Sequence, residues 1–136
     1  MFLMEDDIVY RAAMLQQQSE EIESRLQFVN EQIQELEQFS GDLRVLDKND
    51  NKEILASLGK GVYAKSELKD KKLFVQVGAG VVIKKSINET IEVIGEQIKR
   101  FEEARVQLKM QLESYAQELK RMVAEVEKIK RIGKNH

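Results

Sequence analysis

Residues 86–132 read SINETIEVIGEQIKRFEEARVQLKMQLESYAQELKRMVAEVEKIKRI, and the spacing of their apolar residues decides the fold. Ile87, Ile91, Ile94, Ile98, Phe101, Leu108, Leu112, Tyr115, Leu119, Met122, Val126 and Ile129 follow one another at alternating steps of four and three, with Arg105 as the single polar member of the series. A repeat averaging about 3.5 residues keeps one stripe turned toward a partner helix and implies a left-handed supercoil. Ser86 and Glu89 stand in the S-x-x-E relation of a capping box at the start of this helix. Lys128, Lys130, Arg131 and Lys134 suit the negative end of its dipole.

The partner stripe lies at the other end of the chain. Ile8, Leu15, Ile22, Val29, Leu36 and Leu43 recur every seven residues, Ala12, Leu26 and Ile33 fill the interleaved positions, and Ser19 and Ser40 are polar lapses. Glu5, Asp6 and Asp7 sit where acids favour a helix N-terminus. Gly41 weakens the last turns by about 1 kcal/mol relative to alanine, and the polar run Asp47–Asn51 ends the helix. Two helices, over 5–47 and 86–132, are therefore predicted to fold back on each other as an antiparallel coiled-coil hairpin. Facing residue numbers should sum to about 137, so that Ile8 meets Ile129 and Leu43 meets Ile94. Arg105 then either snorkels from the seam toward Glu31 or Glu35, the favoured reading, or marks a flexible point in the coil.

Between the helices, over 53–85, the apolar period changes from 3.5 to two. Leu73, Val75 and Val77 alternate with Phe74 and Gln76, Val81-Val82-Ile83 is β-branched throughout, and Val62-Tyr63-Ala64 is a further strand candidate. Gly59-Lys60-Gly61 and Gly78-Ala79-Gly80 punctuate these runs, which predicts two β-hairpins with Asp70-Lys71-Lys72 as the turn between them. About 30 residues of hairpin cannot bury their own faces or satisfy their own edges. Pairing with other chains through Val62, Tyr63, Leu73, Val75, Val77, Val81 and Ile83, as an assembled β-barrel platform, is the economical solution. The fold class is α+β in a single domain spanning 1–136.

Composition limits what else the chain can be. The sequence has no proline, so nothing forces a long helix to give up an amide donor. It has no cysteine, which excludes disulfides and thiolate metal sites. A net charge of -2 gives no reason to expect nucleic-acid binding, and the basic last turns are accounted for by the helix dipole. The apolar start Met1–Met4 is cut short by Glu5, Asp6 and Asp7, so neither a signal peptide nor a membrane span is expected, and the chain reads as a soluble cytoplasmic protein. His136 is the only histidine and sits at a terminus, where it is read as an end residue and not a ligand. The glycine pairs lack the third glycine of a dinucleotide fingerprint and the spacing of a Walker loop, and are read as turns. No catalytic constellation, metal site or cofactor is expected.

The arrangement of long helix, two glycine-bearing hairpins and long helix resembles prefoldin, and specifically its α-class subunits. Leu58-Gly59-Lys60-Gly61-Val62-Tyr63 is similar to the family's L-G-x-G-V-Y/F element. Val75-Gln76-Val77-Gly78-Ala79-Gly80-Val81 followed by Lys84-Lys85-Ser86 resembles its V-x-V-G-A-G element and the K-S that follows. Ser57 departs from the proline that many relatives carry. The resemblance implies a non-enzymatic, ATP-independent chaperone subunit in a hexamer of two α-class and four β-class chains, with a second α subunit as its central partner. It further implies that non-native proteins bind at the distal coiled-coil tips and pass to a group II chaperonin. Candidate client contacts at the end carrying both termini are Phe2, Leu3, Met4, Val9, Met14, Met122, Val123 and Ile132, methionine being suited to varied partners. A structural coiled-coil protein with one fixed partner at its tips is the alternative.

Overall fold

Without proline, both heptad segments run as single helices. The computed structural model describes residues 4–50 and 53–134, in the order α1 (Met4–Lys48), β1 (Glu53–Gly59), β2 (Val62–Glu67), β3 (Lys72–Gly78), β4 (Val81–Ser86) and α2 (Ile87–Lys134). The chain divides into two compact units: Met1–Gln32 with Phe101–His136, and Ile33–Arg100.

The first unit is helical. Its segments run antiparallel, since Lys130 Nζ lies 3.8 Å from Glu5 Oε1 and Arg105 Nη1 donates to Asn30 Oδ1 at 3.5 Å. Ile8, Ile22, Val29 and Met122 are buried along the seam, and Leu15, Leu26, Leu108, Leu112, Tyr115, Leu119, Val126 and Ile129 are half-buried beside them. Ser19 is also buried, at no cost in unpaired groups, because its hydroxyl donates to the Leu15 carbonyl one turn back at 2.9 Å. Arg105 corrects one expectation: it reaches Asn30, not Glu31 or Glu35. Asn30 follows the buried Val29 and flanks the seam, whereas Glu31 and Glu35 project from the outer side of the helix.

The second unit holds the ends of both helices and all four strands. Leu43, Ile87 and Ile94 form its buried cluster, with Leu36, Leu46, Leu73, Ile91 and Ile98 packed against it. Leu43 and Ile94 thus meet as the heptad alignment requires. The capping box is present in full: the Ser86 amide donates to Glu89 Oε1 at 2.9 Å, and the Glu89 amide donates to Ser86 Oγ at 3.1 Å. These bonds hold the Glu89 carboxyl below the ordinary glutamate value, Ser86 supplying the largest contribution. Thr90 is buried and donates from Oγ1 to the Ser86 carbonyl at 2.8 Å.

Each hairpin is its own two-stranded antiparallel sheet. The turns are tight, with Lys60 and Gly61 at φ 56° and 77°, and Ala79 and Gly80 at φ 47° and 75°. Positive φ at both central residues is the type I′ geometry whose twist matches flanking strands. A register shift precedes each turn, between Ser57 and Gly59 and between Gln76 and Gly78. Two hairpins joined through Asp70 and Lys71 are therefore observed where the alternation predicted them.

Candidate functional site

The sheet register determines which strand residues share a face. Leu73 pairs with Lys85 and Val75 with Ile83 on one face of the second hairpin, while Phe74 pairs with Lys84 and Gln76 with Val82 on the other. Leu73 is packed onto the buried cluster and Val75 is half-buried, so this face is partly covered by the unit's own helices. Phe74 points away and is 73% exposed, with the Lys84 ammonium 5.8 Å above its ring. Val81, Val82 and Ile83 are all exposed, although neighbours along a strand face opposite ways. Both faces of β4 are therefore open over Val81–Ile83, and the strand is covered only toward Lys85 and Ser86.

The first hairpin is similarly bare. Leu55 and Leu58 are each 70% exposed, and Val62 and Tyr63 are exposed on β2. Among the predicted assembly residues, Val62, Tyr63, Val77, Val81 and Ile83 lie on this open surface, while Leu73 and Val75 face the helices. Leu55, Leu58, Phe74 and Val82 belong to it as well and escaped the sequence reading, because alternation identifies two faces without saying which one the helices cover. Beside β3 the apolar surface continues as a groove of about 440 Å³ lined by Phe39, Phe74, Val75, Val93 and Ile94 among others. Exposed apolar side chains on strands with unpaired edges leave this surface open to pairing with a further strand.

Electrostatics organise the link between the hairpins. Asp70 Oδ1 accepts from the Lys72 amide at 3.2 Å, and Oδ2 lies 3.3 Å from Lys84 Nζ. Desolvation pushes the Asp70 carboxyl up, but its bonds to Lys84 and Lys72 together outweigh that and hold it below the ordinary value.

A second apolar surface lies in the helical unit, at the end where α1 begins and α2 closes. A groove of about 300 Å³ is lined by Ile8, Val9, Ala12, Met122, Val123 and Val126, with Glu127 and Lys130 at its rim. Val9 and Val123 are about half exposed, at 53% and 55%, and line the groove together. Met122 forms its buried floor. Met14 and Ile132 are exposed but do not line the groove. Phe2 and Leu3, and the side chain of Met4, lie outside the described residues. The described residues contain no group of three or more side chains able to hold a metal ion, and no helix among them is long and apolar enough to cross a membrane. The chemistry offered by both surfaces is apolar contact with a charged rim.

Comparison with known proteins agrees with this geometry. The family model for the prefoldin subunit matches residues 15–131. A prefoldin subunit alpha of Archaeoglobus fulgidus is 29% identical over 115 residues, covering 83% of this chain and 84% of that one. Another from Thermofilum pendens is 29% identical over 119 residues, covering 86% and 87%. Among solved structures, a chain of the filamentous prefoldin from Methanocaldococcus jannaschii superposes with a TM-score of 0.73 at 18% identity, covering 84% of this chain and 96% of that one, which is likeness of fold. With a family model spanning most of its length and α-class subunits among its relatives, this chain belongs to the prefoldin family.

Proposed function

We propose that the chain is the α-class subunit of a chaperone assembly, joined to other subunits through its hairpins, and that it captures non-native proteins without ATP. The observation that carries the client-binding half is the groove of Ile8, Val9, Ala12, Met122, Val123 and Val126, where exposed apolar side chains stand at the terminal end of a helical pair. An unfolded chain offers apolar side chains in no fixed order, so a shallow apolar surface with an unbranched methionine floor suits it better than a shaped pocket. The Glu127 and Lys130 rim would add weak, screened contacts that favour release. Delivery would follow to a group II chaperonin, which would engage the same end.

For assembly, the exposed strands support pairing with other subunits, and membership of the family makes a hexamer of two α-class and four β-class chains, with two copies of this chain as the central pair, the form proposed. A solved relative is described as filamentous, which makes growth of this chain alone into larger assemblies the competing outcome to test. Light scattering of the chain alone, and mixed with a β-class partner, separates the two by mass. A chain that stays monomeric in both removes the assembly argument.

Client capture is tested by replacing Phe2, Leu3, Met14 and Val123 with serine, alone and with Val9→Ser. The variant should assemble normally yet lose most of its suppression of aggregation for several unrelated denatured proteins. Suppression that persists unchanged sinks the assignment of clients to this end. Activity toward one protein only would favour a scaffold with a fixed partner.

A further inference from the structure

The β1–β2 hairpin leaves the helices after α1 and returns before β3, and the two ends of this excursion meet. Lys71, in the linker between β2 and β3, donates from Nζ to the backbone carbonyl of Asp47 in the last turn of α1. That carbonyl is one of the four that a helix leaves without an amide of its own. It also lies at the negative end of the dipole, where an ammonium is favoured. The preceding residue, Asp70, holds the same linker from the other side, through the Lys72 amide at 3.2 Å and Lys84 Nζ at 3.3 Å. Two adjacent residues of opposite charge thus tie the linker to different elements, Lys71 to α1 and Asp70 to β3 and β4. Lys71 is half-buried, unlike its exposed neighbours Lys69 and Lys72.

We propose that Asp70-Lys71 is a fastening that fixes the base of the β1–β2 hairpin to the end of α1, so that the hairpin's angle is set before any partner is met. The device belongs to the single chain and does not depend on the chaperone reading. Closing the loop from Asp47 to Lys71 costs conformational entropy whatever holds it. One linker held at two points should therefore loosen at both when either is cut.

Hydrogen exchange on the full chain tests this, read at Asn49, whose amide donates to the Val45 carbonyl at 3.1 Å, and at Lys72. Lys71→Met keeps the apolar stem and removes the ammonium, while Lys71→Arg keeps a donor. The methionine variant should speed exchange at Asn49 by about tenfold, with the arginine variant close to wild type. Asp70→Ala is the deciding arm: it should speed exchange at Asn49, far along the chain, as well as at Lys72. The double variant should exchange at Asn49 no faster than Lys71→Met alone. An Asn49 amide that is indifferent to either single substitution, or that responds to the two independently, overturns the proposal.

Discussion

Ile87→Ala is the substitution whose consequence follows most directly from the packing. Ile87 is 1% exposed and opens α2 directly beneath the strands, in the cluster with Leu43 and Ile94 against which Leu46, Leu73 and Ile91 pack. The change removes three carbons from a site enclosed by both helices and β3, which cannot close over the space without moving a strand. Losses for such truncations span about 2–5 kcal/mol, and the enclosure puts this one at about 3–4 kcal/mol. With an unfolding entropy of about 2.1 cal/mol/K per residue, a chain of 136 residues loses about 3–4 °C of Tm for each kcal/mol, so a fall of about 10 °C or more is expected. Ile129→Ala supplies the internal control, since it removes the same atoms from a seam position that is only half-buried. It should cost about 1–2 kcal/mol and about half the shift in Tm. Thermal unfolding of both variants followed by circular dichroism at 222 nm compares them. An Ile87→Ala shift no larger than that of Ile129→Ala would refute the claim that the second unit's core is centred on this residue.

Two further outcomes are expected. Glu89 has a depressed carboxyl in the folded chain, so its contribution is present above the ordinary glutamate pKa of about 4.3 and is lost as pH falls through the lowered folded value. Glu89→Gln should flatten the acid limb of a Tm-against-pH curve and leave the limb above pH ~6 unchanged in slope; parallel acid limbs would contradict the role given to the capping box. Ala79 sits at φ 47°, in the left-handed region that costs an alanine about 1 kcal/mol and an asparagine less. Ala79→Asn should therefore raise the urea midpoint by an amount worth about 0.5 kcal/mol, the difference between the two costs, and a lowered midpoint would contradict the turn geometry.

Much of the fold was legible because each element carries a signal with its own period. Every heptad position from Ile8 to Leu43 and from Ile87 to Ile129 is buried or half-buried, including the polar Ser19, Ser40 and Arg105. Strand ends were readable from glycine, and the start of α2 from Ser86 and Glu89. The failures share a cause, which is that contacts between elements have no local spelling. Thr90 and Val93 are covered although they lie off the stripe, because β3 stands beside that side of α2 and lines the same groove. Lys71 looked like an ordinary turn lysine, yet it reaches a carbonyl of α1. Arg105 was given a glutamate by charge, whereas position beside the seam assigned it Asn30. At the terminal end, seam and flanking residues were foreseen as a set, but only three dimensions separate Val9 and Val123, which share a groove, from Met14 and Ile132, which do not line it.

Ser86 is the last residue of β4, and α2 starts at the next residue, so strand and helix share a joint without slack. On the other side, four residues separate Lys48 from Glu53. The second hairpin is thus joined to its helix through the chain itself, whereas the first is held to α1 by the side chain of Lys71. A strand that adds to the edge of β4 and changes its twist must either break the bonds between Ser86 and Glu89 or turn α2 about its own axis. Torque applied to the second hairpin reaches a helix directly. The same torque applied to the first hairpin meets α1 through the bond from Lys71 to the Asp47 carbonyl, so one sheet is coupled to its helix by backbone and the other by a side chain.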